Sequence, residues 1–416
     1  MLLLFSAVSL LLLLGCTYRL RQVVAAIPTL SAAAAIDQAS ASTPSIAIVI
    51  PAYNEAENIA DCLRATLESA RQYPGAASVW MVDDQSTDAT WAIAQTVQNS
   101  LAKVDLEPTL HLVAGQARPA GEIWVGKNWA CVQAVEQQAA ENEDSDYLLF
   151  LDADVRLEPG AIAAAMATAE KGAIDLLSCG PAIQCGCLAE WLVQPIILTI
   201  LLIGFDIRSV NDPNADAAFA AGPFMLFRRT AYDKIDGHRA VGDEVVEDVE
   251  LARRIKGAGL RLKYLAGDKF MSVRMYRSWA ALWEGWTKNL YMGTKRNLVS
   301  TLALILLVFL LCTLPWLLLL SLGIKALLFG WRSWDWLTLS MLGWALMAQV
   351  DLRRVGGQES GIPARYWWLS GVGGLAVTAI ALASIIKTET GQGWTWKGRP
   401  LQADHLNPDH SQASSD

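Results

Sequence analysis

The chain has 416 residues, of which 53% are hydrophobic and 18% charged, with a formal net charge of −8. Soluble domains carry about 25% charged residues, so part of this chain belongs in lipid. The acidic balance offers no basic stripe to neutralise a phosphate backbone, which excludes nucleic acid as a partner. The seven cysteines are scattered and odd in number, and their spacing fits neither a zinc site nor a disulfide framework. They read as plain thiols in a reducing compartment.

Residues 2–15 are apolar and are followed by Arg19 and Arg21. The run is short for a span of roughly 20 residues, but residues 16–18 extend it. No Lys or Arg precedes it, unlike a secretory signal peptide. Positive charge behind the apolar run marks the cytoplasmic side. The expectation is a membrane anchor over 1–22 that leaves the next domain in the cytoplasm. A linker follows over 23–44, Ala/Ser-rich and aperiodic from residue 31.

A catalytic domain is expected over 45–296. A buried strand at 45–50 ends at Pro51-Ala52-Tyr53-Asn54-Glu55, and a helix follows with Ile59, Leu63 and Leu67 at helical spacing. The strand at 78–82 runs into Asp83-Asp84, and Ser86-Thr87-Asp88 caps a helix over 89–99. A strand at 109–113, a helix at 129–140 and a strand at 147–151 come next, the last running into Asp152-Ala153-Asp154. This alternation predicts an α/β fold, a Rossmann-like, mostly parallel sheet. Residues 192–205 carry no charge and read either as a core helix or as one lying in the membrane interface. Glu247-Asp248 opens a helix over 249–256, and a short strand follows at 260–265.

Transmembrane helices are expected over 297–387, as runs at 298–322, 336–350 and 366–386. Lys295, Arg296, Arg353, Arg354 and Arg365 fit the cytoplasmic side. With the anchor, that gives one N-terminal and three C-terminal spans. Counting them turns the tail, 388–416, outward, yet Trp394 to Arg399 reads as interfacial or site-facing. A re-entrant segment would remove the conflict.

Carboxylates at three stations, Asp83-Asp84, Asp152/Asp154 and Glu247-Asp248, repel one another, and packing alone does not account for them. A hard cation bridging to phosphate oxygens does, because Mg²⁺ or Mn²⁺ takes one or two carboxylates plus the substrate's phosphates. At the crevice outside the strand ends, Tyr53 is a candidate to stack on a base and Glu55 to accept from a ribose or base. The alternative is a plain turn capped by Asn54. Asp83 or Asp84 suits a nucleobase N–H, whereas Asp88 reads as structural. Asp152 and Asp154 suit a metal-bound diphosphate. Asp248, with Glu247 beside it, suits a general base for an acceptor hydroxyl, with helix N-terminal charge as the alternative. Arg274 or Arg277 is a candidate clamp on diphosphate oxygens, and Lys127 a candidate phosphate contact. Trp279, Trp283 and Trp286 line either an acceptor channel or a membrane-interface belt, and His238 either the acceptor side or a turn.

Taken in order, Pro51 to Glu55, Asp83 to Asp88, Asp152 to Asp154 and Glu247-Asp248 resemble the family 2 glycosyltransferases with the GT-A fold, over residues 45–296. The resemblance implies an inverting transfer from a nucleotide-diphospho-sugar, a UDP-sugar before others. It implies Asp84 near the base, Asp154 on the metal and Asp248 as catalytic base. The stretch from Arg274 to Trp286 lacks the Gln-x-x-Arg-Trp box of processive members. The chain is therefore more similar to members that glycosylate lipid-soluble acceptors such as carotenoids, hopanoids or glycerolipids. That implies a multi-pass protein of the cell (inner) membrane with a cytoplasmic catalytic domain. A processive polysaccharide synthase, an inactive membrane scaffold and a nucleotidyltransferase are the alternatives.

Overall fold

A computed structural model describes residues 1–31, 43–102, 108–141, 143–392 and 394–401. Half of the expected linker, residues 32–42 of 23–44, lies outside the described residues. The chain forms two compact units, one holding Ile27–Ile183 and Ile207–Met275, the other Met1–Ala26, Gln184–Asp206 and Tyr276–Pro400.

The first unit is built on a sheet. Its strands are β1 (Ile46–Ala52), β2 (Ala77–Asp83), β3 (Thr109–Ala114), β4 (Tyr147–Leu151), β5 (Val155–Leu157), β6 (Leu176–Gly180), β7 (Ala182–Ile183), β8 (Phe224–Arg228), β9 (Leu262–Ala266) and β10 (Met271–Val273). Seven of them form one sheet in the order β3-β2-β1-β4-β8-β6-β9, and β5-β10-β7 form a second. β1 is parallel to β2 and β4, and β2 to β3, while β8 runs antiparallel between β4 and β6. This is the mostly parallel GT-A sheet expected. All five residues of β4 and β6 are buried, as strands covered on both faces require.

The register sets the site. Ala52 pairs with Asp83, and Asp83 with Ala114, so β1, β2 and β3 end level with one another. The chain goes from β1 outward through β2 and β3, then returns to the other flank of β1 as β4. Ligands of open α/β sheets bind at such a switch point, outside the carboxyl ends of the strands. Sequence periodicity had no purchase on β5 and β10, three residues each, or on the Ala-rich helix Ala161–Gly172.

The second unit is helical. Among the described residues, three helices are long and apolar enough to cross a membrane: Leu2–Ala26, Leu298–Phe329 and Trp367–Glu389. The run at 336–350, expected to be a fourth, is part of the helix Ser333–Gly356 and is not among them. That helix carries Asp335, Gln349, Asp351, Arg353 and Arg354, and two of these satisfy its neighbours. Pro195 lies inside the helix Leu188–Gly204 and has no N–H for the carbonyl of Trp191, four residues back. Arg353 donates to that carbonyl at 2.7 Å. Pro315 likewise deprives Leu311, in the middle of a π-helical turn, Phe309–Thr313. Gln349, one turn before Arg353, donates to the carbonyls of Leu311 at 2.5 Å and Cys312 at 3.0 Å.

Helix Ser370–Glu389 runs beside the first half of Leu298–Phe329, from Thr313, which donates to the Gly371 carbonyl, to Arg296, which donates to Glu389. The approach demands glycine. A Cβ at Gly374 would lie 2.6 Å from Thr313 Oγ1, and one at Gly373 2.4 Å from the Leu192 carbonyl oxygen. The described part of the tail, Trp394–Trp396 and Arg399–Leu401, is a hairpin. Its Lys397 backbone N–H donates to Glu284 at 3.2 Å, and Lys288 lies 4.4 Å from the Trp396 ring centroid. Both partners sit on helix Trp279–Gly293. Groups in contact cannot lie on opposite sides of a bilayer, so any crossings between that helix and the hairpin are even in number. Where three C-terminal spans were expected, two C-terminal helices, Leu298–Phe329 and Trp367–Glu389, are long and apolar enough to cross among the described residues.

Candidate active site

The loops after β1 and β2 fix each other. Asn54 takes a left-handed conformation (φ 51°), receives the Thr87 N–H on Oδ1 at 2.8 Å, and donates its own N–H to Ser86 Oγ at 2.9 Å. Glu55 donates its N–H to Thr90 Oγ1 at 2.8 Å. Asp88 accepts from the N–H groups of Ala56 at 3.1 Å and Thr90 at 2.9 Å, so it holds the turn. Pro51 is the penultimate residue of β1, and Tyr53 and Glu55 follow the strand half-buried.

Asp83 and Asp84 are both buried at the end of β2. Asp83 Oδ2 accepts the Ser86 N–H at 3.3 Å, while its Oδ1 is buried without a hydrogen-bond partner among the described residues. Asp84 Oδ2 lies 3.8 Å from Arg118. A Cβ at Gly126 would come within 2.3 Å of Asp84 Oδ2, so the helix Gly126–Ala140 begins hard against this carboxylate.

Lys127, the next residue, organises the centre. Its Nζ is 2.7 Å from Asp152 Oδ1 and 2.7 Å from Glu247 Oε1. Burial disfavours its charge, but the two carboxylates outweigh burial and hold its pKa well above the usual value. Asn128 anchors the helix start through the carbonyls of Val241 (2.7 Å) and Glu244 (3.0 Å), which lead to Glu247. Asp248 Oδ2 accepts the Gly222 N–H at 2.9 Å, and Oδ1 accepts the Val249 N–H at 2.8 Å. Burial, then the Glu247 charge, raise the Asp248 pKa to about 7, against the opposing pull of Lys127 and the two N–H groups. A Cβ at Gly222 would sit 3.0 Å from Asp248 Oδ2 and 3.4 Å from Lys127 Nζ, so glycine lets the backbone pass between them.

Asp154 immediately precedes β5, and Arg274 immediately follows β10. Val155 pairs antiparallel with Val273, so continuing the register sets Arg274 opposite Asp154. Asp152, Asp154, Glu247, Asp248, Lys127 and Arg274 thus all belong to the sheet unit. His238 does not line a surface. It is 1% exposed, its Nδ1 lies 3.0 Å from the Tyr232 hydroxyl, and burial lowers its pKa to about 3, so it is a neutral packing residue. Trp279, Trp283 and Trp286 lie in the helical unit. Trp286 is buried and donates to Gln194 at 2.7 Å, whereas Trp279 and Trp283 pair with ring centroids 5.9 Å apart, and Trp279 is 44% exposed. Sequence reasoning missed Arg118, Asn128 and Gly222. Of these only Asn128, beside Lys127, and Gly222-Pro223, inside an apolar run, left any trace.

A cavity of about 740 Å³ along the free edge of β3, lined by Trp80, His111 and Glu141, holds none of the strand-end carboxylates. Its His111 stacks on Trp80 at 3.9 Å and faces Glu141 at 3.4 Å and Glu143 at 3.3 Å.

The model of glycosyl transferase family 2 matches residues 47–236, and that of glycosyl transferase family group 2 matches residues 147–349. The chain belongs to glycosyl transferase family 2. This family 2 chain is 26% identical over 269 residues to a 4,4'-diaponeurosporenoate glycosyltransferase of Staphylococcus haemolyticus, covering 64% of this chain and 66% of that protein. It is 30% identical over 128 residues to an undecaprenyl-phosphate 4-deoxy-4-formamido-L-arabinose transferase of Proteus mirabilis, covering 30% of this chain and 34% of that one. The chain thus spans from about a third to just under two-thirds of these curated relatives. A mannosyltransferase of Pyrobaculum calidifontis, solved with GDP-Man and Mn²⁺, is similar at a TM-score of 0.49 and 15% identity, covering 93% of this chain and 98% of that one.

Proposed function

We propose that this family 2 chain transfers a sugar, with inversion, from a nucleotide-diphospho-sugar to a lipid-soluble acceptor at a membrane. The observation that carries the reading is Asp248. It is fixed by two backbone N–H groups, its pKa is raised to about 7, and it stands beside the Lys127–Asp152–Glu247 cluster. A carboxylate poised near neutral pH suits a general base. Direct displacement at the sugar carbon needs one such base on the face opposite the leaving group.

In this reading Asp248 removes the proton of the acceptor hydroxyl as its oxygen attacks. The donor's diphosphate lies over Asp152 and Asp154, with Lys127 and Arg274 as its cationic contacts. The unpartnered Oδ1 of buried Asp83 suits an N–H of the donor's base, with Asp84, Tyr53 and Glu55 beside it and Pro51 shaping the loop. The donor set fits Mg²⁺ or Mn²⁺, because it consists of carboxylate oxygens and already attracts a cation, the Lys127 ammonium at 2.7 Å. When bound, such an ion offsets charge on the departing diphosphate. A lipid-soluble acceptor is supported by the apolar helices and by the carotenoid and undecaprenyl-phosphate substrates in the names of the two curated relatives. The basic residues flanking the apolar helices support a cytoplasmic active site at the cell membrane.

The test is nucleotide release from UDP- and GDP-sugars by membranes holding the full chain, with Mg²⁺ or Mn²⁺, with and without a total lipid extract. Release that requires lipid and is lost in Asp248→Asn is the expected result. Release of sugar 1-phosphate, with the nucleoside monophosphate joined to the acceptor, would mean nucleotidyl transfer instead, and long products without lipid would mean polymer synthesis.

A further inference from the structure

The contacts of Lys127 reach beyond a role as one more phosphate ligand. Its ammonium touches Asp152, on the side of the expected cation, and Glu247, the neighbour of the base, at the same distance of 2.7 Å. Its side chain is 30% exposed and that of Asp152 29%, so the bridge can be reached from solvent and is not locked in the core. Asn128 pins the helix start to the loop at Val241 and Glu244, so the Lys127 backbone stays in place while its flexible stem swings.

Two cations cannot share Asp152 without repulsion. A divalent ion arriving alone must displace the ammonium from Asp152 and leave it paired with Glu247 alone, in a half-buried place where a lost charge partner is costly. An ion arriving with a diphosphate brings the lysine a new anionic partner as it takes the old one. We infer that Lys127 holds Asp152 in the cation's place until donor and ion enter together, and then moves to the donor's diphosphate, so that metal binding depends on the nucleotide. The inference rests on the reading of Asp152 and Asp154 as the metal-diphosphate side. Coupling of this kind is reciprocal, and its usual size is about 5- to 150-fold.

The experiment measures Mn²⁺ binding to the detergent-solubilised full chain by the electron paramagnetic resonance signal of free Mn²⁺, with no nucleotide, with UDP and with GDP. The wild type should bind Mn²⁺ at least about tenfold more tightly with one of the nucleotides than alone. In Lys127→Met, Mn²⁺ alone should bind at least about tenfold more tightly than it does to the wild type, and the nucleotide should add little. Lys127→Arg keeps the charge and should keep the dependence. If Lys127→Met melts at the wild-type temperature yet gains no affinity for Mn²⁺ alone, or if the wild type binds Mn²⁺ equally well without nucleotide, the inference is wrong while the transferase reading stands. If the wild type binds neither nucleotide with Mn²⁺, the transferase reading itself fails.

Discussion

At the strand ends of the sheet unit, Lys127, Asp152, Glu247 and Asp248 face one another or nearby backbone N–H groups. Inside the helical unit, Gln349 and Arg353 face backbone carbonyls that two prolines have left without a helical partner. Both arrangements bury polar groups, but they answer different demands. In the helices the polar side chains repair a backbone whose unpaired carbonyls cost free energy in an apolar surround. In the sheet the charges exceed what packing or backbone repair requires, and one acid is held far from its ordinary ionisation. Excess charge with a raised pKa marks chemistry, while polar groups matched one for one to missing N–H donors mark architecture.

The largest effect separating the two is expected at Asp248. Asp248→Asn should lower turnover by about 10²- to 10⁴-fold, the usual worth of a positioned general base, and leave nucleotide binding near the wild-type value. Equal loss of binding and turnover would remove Asp248 from the role of base. For the wild type, kcat/KM should rise with pH through about 7, as Asp248 ionises. The stability consequence has the opposite sign. The folded pKa lies above the unfolded value, so the contribution of this group is complete below about pH 4 and is lost as pH rises through about 7. Asp248→Asn should therefore melt higher than the wild type at pH 8, with the gap narrowing as pH falls below about 7 and closing below about pH 4.

Next comes the helical repair. Arg353→Leu strands the Trp191 carbonyl and should cost about 1–3 kcal/mol in unfolding. Pro195→Ala restores the missing N–H, so Arg353→Leu should cost clearly less in that background. An unchanged cost would show that Arg353 does not act through the carbonyl. Gln349→Leu should behave in the same way with Pro315→Ala.

A smaller effect is expected at His238. Its pKa is depressed to about 3 by burial, so its contribution to stability is present above pH 6.5 and is lost as pH falls toward 3. His238→Gln should make the acid side of the stability profile shallower while leaving acceptor affinity unchanged. An acceptor-specific loss would return His238 to the acceptor side. The smallest effect belongs to Arg21, whose ion pair with Asp351 at 2.7 Å is exposed on both sides. Arg21→Ala should unfold at the wild-type temperature.

Much of this was legible in the chain itself. Buried strands print as short apolar runs, and a carboxylate directly after one, as at Asp83 or Asp152, has to emerge at the sheet edge. Local order along the chain therefore determined the α/β alternation, the acidic stations and the apolar helices. Tertiary structure decided what depends on contacts between distant residues. The insertion of β8 antiparallel between β4 and β6 was beyond local pattern, as was the bridge from Lys127 to Asp152 and Glu247, which lie 25 and 120 positions away. His238 looks the same in sequence whether it lines a pocket or packs on Phe150, at 4.4 Å between ring centroids, because exposure is not a local property. The same holds for Arg353. Read along the chain it is a charge at a helix end that marks a membrane side, and only the fold brings it to the carbonyl that Pro195, 158 positions earlier, leaves without a donor.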